Sequence, residues 1–402
     1  MKPLLFAVIL GAGFLGGIAL DQGAEAAELR VPGEYATIQT ALDAATPGDI
    51  VLVAPGTYHE NLRMKSGVTL ASEVGPEVTM TEAAGAGSVI DCVEVSGQTT
   101  IRGFHITGGS GTGDVNGRFG GGIRCWTNAS PRIERNVFTG NRATFGGAIA
   151  CRYGSAPLIS QNVFRDNVAT WEGGGIYAID GDGARIRIES NHVSGNEAVS
   201  GGGIWVGGID CEIESNVVIG NRASFAGGGV WAGFFGDKNI VRNLLAHNAS
   251  LDLGGGLWLN EGSAQISSNT FYSNAAPRGG GIATGGFGSK QIANNILANS
   301  GAGAGVHCTA PGNAVLECND IWENEGGDAV PDCVIDGGRN FAADPLFCNA
   351  GAGEFSLNSR SPCLPENKPT GCGLIGAFGG GCEDAPVSVT PADWGQVKAL
   401  YR

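Results

Sequence analysis

Two short runs carry carboxylates at a spacing that could do chemistry, Arg187-Ile188-Glu189 and Glu212-Ile213-Glu214. On neighbouring strands at equivalent places, Arg187 would face Glu212, and Glu189 would face Glu214 across ~5 Å. Carboxyls about that far apart serve retaining glycoside hydrolysis, and a like-charged pair can hold Ca²⁺ if further oxygens join it. The plainer reading is a solvated face with one ion pair. A second pattern is aromatic: Tyr177, Trp205, Trp231 and Trp258 each follow the apolar residue that closes a glycine run. That preceding residue should point inward, so the rings should point outward, ~4.8 Å apart, as a flat strip about 14 Å long. Such a strip is a ligand surface for the C–H faces of sugar rings, if exposed. The competing reading is a stack that stiffens the coil or lies under a loop.

Other candidates are weaker. Asp180-Gly181-Asp182-Gly183 is an inserted turn with fewer acidic ligands than a calcium loop needs. The stretch GSGTGDVNGRFGG before Ile123, with Asp114, Asn116 and Arg118, is long enough to wall a groove. The histidines His59, His105, His192, His247 and His307 are scattered without metal-ligand spacing. No pattern calls for a resident metal or organic cofactor, Ca²⁺ being the single ion the acidic pair would suit.

The elements that position these residues come from a repeat. Asn-x-Φ-x-x-Asn, with Φ apolar, begins at Asn136, Asn162, Asn191, Asn216, Asn243, Asn269, Asn294 and Asn319, at intervals of 25 to 29 residues. Most copies lead into a glycine run that ends on Ile149, Ile176, Ile204, Val230, Leu257 or Ile282. Alternating runs such as RIRIES precede the first Asn, which is strand periodicity. A unit of three short strands cannot bury its own apolar face, but stacked on identical units it can. The fold expected is all-β, a right-handed parallel β-helix of ten or so coils, roughly 50 Å of stack. Φ and the Ile column fill its interior, and the Asn columns ladder along its turns. Ile38, Ala41, Leu42 and Ala45 recur at helical spacing before Pro47-Gly48, so a helix should cap the first coil.

With these motifs in hand, residues 30–109, above all TIQTALDAATPGDIVLVAPGTYHENL, resemble the entry segment of the pectin-lyase-like superfamily. The GGAI and F-x-x-N units resemble the repeat of chlamydial polymorphic outer membrane proteins. FAADPLFCNAGAGEFSLNSRSPC with CGLIGAFGGGC resembles the closing part of many secreted bacterial β-helix proteins. The resemblance implies the fold; superfolds host many activities. The adjacent aspartates and Gly-His-Gly of polygalacturonase-like members are missing. So are the DPHD run of alginate epimerases, because Asp344-Pro345 continues as Leu346-Phe347, and the arginine motif of pectate lyases.

Bulk properties narrow the rest. The chain has 402 residues, a formal charge of −15 and 70 glycines, which disfavours nucleic acid as a partner and a long-helix architecture. Residues 1–26 read as a signal peptide, with Lys2, an apolar stretch and Ala24-Glu25-Ala26, and no later run could span a membrane. Residues 27–307 should form the β-helix with its cap. The last coils and a cysteine-rich closing segment take 308–382, and a tail takes 383–402, where Trp394, Val397, Leu400 and Tyr401 line one side of a short helix. Seven of eleven cysteines crowd the last hundred residues, as disulfides of an exported chain. Cys125 and Cys151 fall in one inward column, either as a disulfide or as two stacked thiols. A secreted or surface protein that binds polysaccharide or another cell-surface partner without catalysis is the leading expectation. A polysaccharide lyase or glycoside hydrolase is its rival.

Overall fold

The computed structural model describes residues 26–181, 183–311 and 314–382. The expected signal peptide (all but Ala26), Asp182 and the tail with Trp394, Val397, Leu400 and Tyr401 lie outside the described residues.

One coil shows the plan. Arg185–Glu189 lies on a first face, His192–Ser194 on a second, Glu197–Ser200 on a third and Ile204–Gly207 on a fourth, before Asp210–Glu214 returns to the first. Each strand of this coil pairs in parallel with its counterpart one coil on, and the faces hold 13, 11, 7 and 10 strands, the seven including one antiparallel hairpin strand, Thr112–Asp114. This is a right-handed parallel β-helix. Thirteen rungs at ~4.8 Å make about 60 Å of stack, longer than the ten or so coils expected. The extra length lies in the early coils and in the last rung at Ile335–Gly338, neither of which carries the full Asn motif.

Inward columns fill the interior. Ile133, Ile159, Ile188, Ile213, Ile240 and Ile266 are fully buried, and Phe138 stacks on Phe164 at 4.8 Å. The turns between faces are set by asparagine. In the first column Asn136, Asn162, Asn191, Asn216, Asn243, Asn269, Asn295, Asn319 and Asn340 form a continuous ladder. Up to Asn319 each Nδ2 donates to the Oδ1 one coil on, and so does each backbone N–H; the Asn340 amide ends the ladder on the Leu316 carbonyl and Asp336. The residue before each of these asparagines is left-handed, for example Ser190 at φ +56° and Ser215 at φ +55°. That corrects one unit: the ladder residues there are Asn295 and Ser300, not Asn294 and Asn299. Asn294 and Asn299 take the left-handed position instead, which asparagine tolerates better than most residues.

At the N-terminal end a helix, Ile38–Ala44, covers the first coil with Ile38, Ala41 and Leu42 buried, as the spacing predicts. Thr37 caps it, and the Glu60 carboxylate accepts the free N–H groups of Ile38 and Gln39. At the other end, disulfides Cys308–Cys333, Cys318–Cys372 and Cys348–Cys382 staple the last coils and the closing segment. Cys125 and Cys151 are free buried thiols, in register with a third, Cys92.

Candidate functional site

The four predicted rings stack as the register requires: Tyr177, Trp205, Trp231 and Trp258 occupy one column, with centroids 4.9 Å and 4.5 Å apart at the first two steps. They are not a ligand surface. Their exposures are 3 %, 1 %, 5 % and 6 %. The rings do point away from the coil axis, but the third face folds over them, laying Ala226 and Leu253 on the column. Glycine permits that fold. Gly201 sits at φ +63°, and a Cβ there would lie 2.7 Å from the Trp205 Cβ, so only a bare backbone can turn so tightly against the ring. The hairpin of Thr112–Asp114 and Gly117–Phe119, from the loop expected to wall a groove, instead ends the column: Phe119 stacks on Phe145 at 5.0 Å. Arg118 is spent on Ser110 and the Gly111 carbonyl, and the Asp114 side chain is not among those described.

The carboxylate pair also has its expected register, with Arg187 on Glu212 and Glu189 on Glu214. No ion pair joins Arg187 to Glu212. Glu214 pairs instead with Arg242, one coil further on, and the neighbouring pair is Arg185–Asp210 at 3.7 Å. This is the charged solvent face of the plainer reading. Among the described residues no group of three or more His, Cys, Asp or Glu side chains converges as a metal site.

A different column gathers the chemistry. At the corner between the fourth and first faces, Tyr153, Asp180, Gly208 and Phe234 stand on four successive rungs at one register position. All four are left-handed, with φ between +54° and +62°. The two rings therefore stand three rungs apart, about 14 Å, with Asp180 and a side-chain-free glycine between them. The result is a trough of about 600 Å³, floored by Gly183, Gly208 and Ile209 and walled by Tyr153 and Phe235. Tyr153 is 41 % exposed and Phe235 82 %. Two carboxylates line it. Asp180 accepts from Arg152 Nε at 3.0 Å, and Asp210 pairs with Arg185 and accepts the Asp237 N–H at 2.8 Å.

The walls are held from inside. Phe234 packs on Trp231 and Trp205, at 5.0 Å and 5.9 Å, so the buried column braces the trough's far end. Arg152 lies over the Tyr153 ring at 4.9 Å. Two lysines in one inward column, Lys238 and Lys290, are almost fully buried. Lys238 Nζ donates to the carbonyls of Phe235 and Gly236 at 2.8 Å and 2.9 Å. Lys290 Nζ does the same for Gly285, Phe287 and Gly288, on the loop bearing exposed Phe287. Burial pushes the Lys290 ammonium down to about 8, a cost accepted to fasten a loop.

Apolar ring faces at the ends of a trough, with fixed carboxylate oxygens between, can grip a polyhydroxylated chain by C–H contact and hydroxyl donation. Neither carboxylate is free of a guanidinium, which suits acceptance of hydroxyls better than proton transfer. Sequence reading missed Tyr153, Phe234, Phe235 and Asp210. For Tyr153 and Phe234 the signal was available as the fourth position after Ile149 and Val230, a column that the more conspicuous tryptophans overshadowed; Phe235 and Asp210 follow that column by one and two places on their own coils.

Residues 61–245 match the family model described as the right handed beta helix region. No curated protein matches the chain. Among solved structures, the mannuronan C-5 epimerase AlgE6 A-module of Azotobacter vinelandii is similar at 17 % identity and a TM-score of 0.45, over 77 % of this chain and 94 % of that one. The tailspike protein gp49 of Acinetobacter baumannii bacteriophage Fri1, a capsular polysaccharide depolymerase, is similar at 10 % identity and a TM-score of 0.36, over 75 % of this chain and 57 % of that one. What this chain has in common with the matched family model is the right-handed β-helix itself.

Proposed function

We propose that this protein binds an extended, neutral polysaccharide along the corner trough and leaves it chemically unchanged. The observation that carries this reading is the corner trough itself, where the exposed rings of Tyr153 and Phe235 stand with the hydrogen-bond acceptors Asp180 and Asp210 and the bare floor at Gly208 between them. A polymer lying parallel to the axis meets a ring, an acceptor, a bare floor and a second ring in turn. The charge of −15 repels polyanions, which favours neutral glycans over uronate-rich ones. Export belongs to the same proposal: three disulfides suit an oxidising compartment, as does the leader-like start of the sequence. Kinship with the pectin-lyase-like superfamily is likewise part of it. No described helix is long and apolar enough to cross a membrane.

The enzymatic reading has one observation in its favour, the register of Glu189 on Glu214, but Arg242 occupies Glu214 and neither residue lines the trough. A glycan array probed with the mature chain tests the proposal, followed by incubation of each bound polymer with and without Ca²⁺. Binding without new reducing ends or unsaturated products is expected. Turnover would replace binding with catalysis, and silence across the array would remove the glycan altogether.

A further inference from the structure

We infer that the closing segment builds a second saccharide site, sized for a single neutral pyranose residue, on a different face from the trough. The inference rests on the glycan-binding reading above and names a further site for the same class of ligand. It starts from a cleft of about 350 Å³ between the second face and the closing segment. Tyr272 and Trp322 share one column of the second face, two rungs apart, with only the methyl of Ala298 on the rung between. Two rings about 10 Å apart thus stand on one wall. Phe347 of the closing segment meets the Tyr272 ring edge-on at 5.7 Å and shuts one side.

The rim is polar and planar. The amides of Asn299 and Asn358, the carboxylates of Glu323 and Asp344 and the Arg360 guanidinium surround the opening. Flat amide and carboxylate groups beside an aromatic wall suit a sugar, because vicinal hydroxyls can donate to and accept from them while the ring's C–H face meets Trp322. Two carboxylates against one guanidinium disfavour an anion, and charged groups at the opening disfavour a wholly apolar guest. The volume is little more than half that of the trough, which suits one ring rather than a chain segment.

The site exists only while the closing segment is docked. Cys318–Cys372 ties that segment to the last coils, and Cys348–Cys382 ties its two ends together. Ser361 Oγ donates to the Pro345 carbonyl at 2.6 Å, and the buried Asp320 carboxylate accepts the Ala343 N–H at 3.0 Å. The trough draws on none of these contacts, so the two sites can be lost independently.

The test titrates the oxidised full chain with a panel of neutral monosaccharides by ligand-observed NMR, and separately with the polymer found on the array. Trp322→Ala should weaken monosaccharide binding at least about 10-fold and leave polymer affinity within about 2-fold. Trp322→Phe should retain the monosaccharide. Glu323→Gln, an exposed change that cannot unfold the coil, should weaken it measurably. Tyr153→Ala/Phe235→Ala should do the reverse of Trp322→Ala. A chain that binds polymer but none of the monosaccharides, or whose monosaccharide binding survives both Trp322→Ala and Glu323→Gln, overturns the second site alone. A chain that binds neither polymer nor monosaccharide overturns the glycan reading with it.

Discussion

Replacing Asn216 by alanine should remove about 4–6 kcal/mol of stability. The Asn216 side chain accepts the Asn191 N–H at 2.9 Å and the Asn191 Nδ2 at 3.0 Å, and donates to the Ile188 carbonyl at 2.7 Å and to Asn243 Oδ1 at 3.0 Å. Asn191 Nδ2 keeps the Ile159 carbonyl, and Asn243 Oδ1 keeps the Asn216 N–H. The Asn191 backbone N–H has no such second partner and is left buried. An orphaned buried donor costs about 1–3 kcal/mol, and each further lost bond about 1 kcal/mol. Asn340→Ala, at the half-exposed last rung where water can replace the amide, should cost about 1 kcal/mol. Urea unfolding measures both, with the midpoint moving at constant slope. A loss below about 1 kcal/mol for Asn216→Ala, or equal losses at the two rungs, would refute the claim that buried amide ladders hold the turns.

Two further outcomes follow from buried ionisable groups. Burial, with Asp344 and Asp328 adding repulsion, pushes the Asp320 carboxyl up to about 7, against about 3.9 in an unfolded chain. The native state therefore holds the proton more tightly. Stability from this group is full below about pH 4 and falls by about 4 kcal/mol as pH rises through 7. Asp320→Asn, which still accepts the Ala343 N–H, should flatten that slope in urea midpoints taken between pH 4.5 and 8; parallel slopes for the two proteins would contradict it. Lys290→Met should release the carbonyls of Gly285, Phe287 and Gly288, raising hydrogen exchange across 285–289 while the inward Ile column stays protected. Unchanged exchange there would mean the ammonium does not hold the loop.

The sequence displayed the fold far better than the site. Asparagines every 25 to 29 residues, each flanked by apolar positions, can satisfy their buried amides only on one another, so the repeat admits few solutions. It misled at Asn294, where two adjacent asparagines compete for one ladder place and only the backbone turn decides between them. The tryptophan column was read correctly in register and direction, yet alternation along a strand cannot reveal a further layer. That layer comes from the third face, whose short runs such as RASFA look like turn sequence and fold back through glycines. Glu189 and Glu214 met as expected, but the partner that neutralises Glu214 stands on the next coil, beyond the reach of a two-strand comparison. The trough was hidden for a different reason. Its rings are single residues on separate coils, and its floor is defined by the side chains that Gly183 and Gly208 lack.

Tyr153→Ala/Phe235→Ala tests the central claim most directly, by isothermal titration against the best-bound neutral polymer from the array. Two exposed rings that each contribute about 1 kcal/mol of sugar stacking predict an affinity loss of about 30-fold, with the urea midpoint unchanged. Affinity within about 2-fold of the parent chain would contradict the account and leave the trough as a surface feature of the coil.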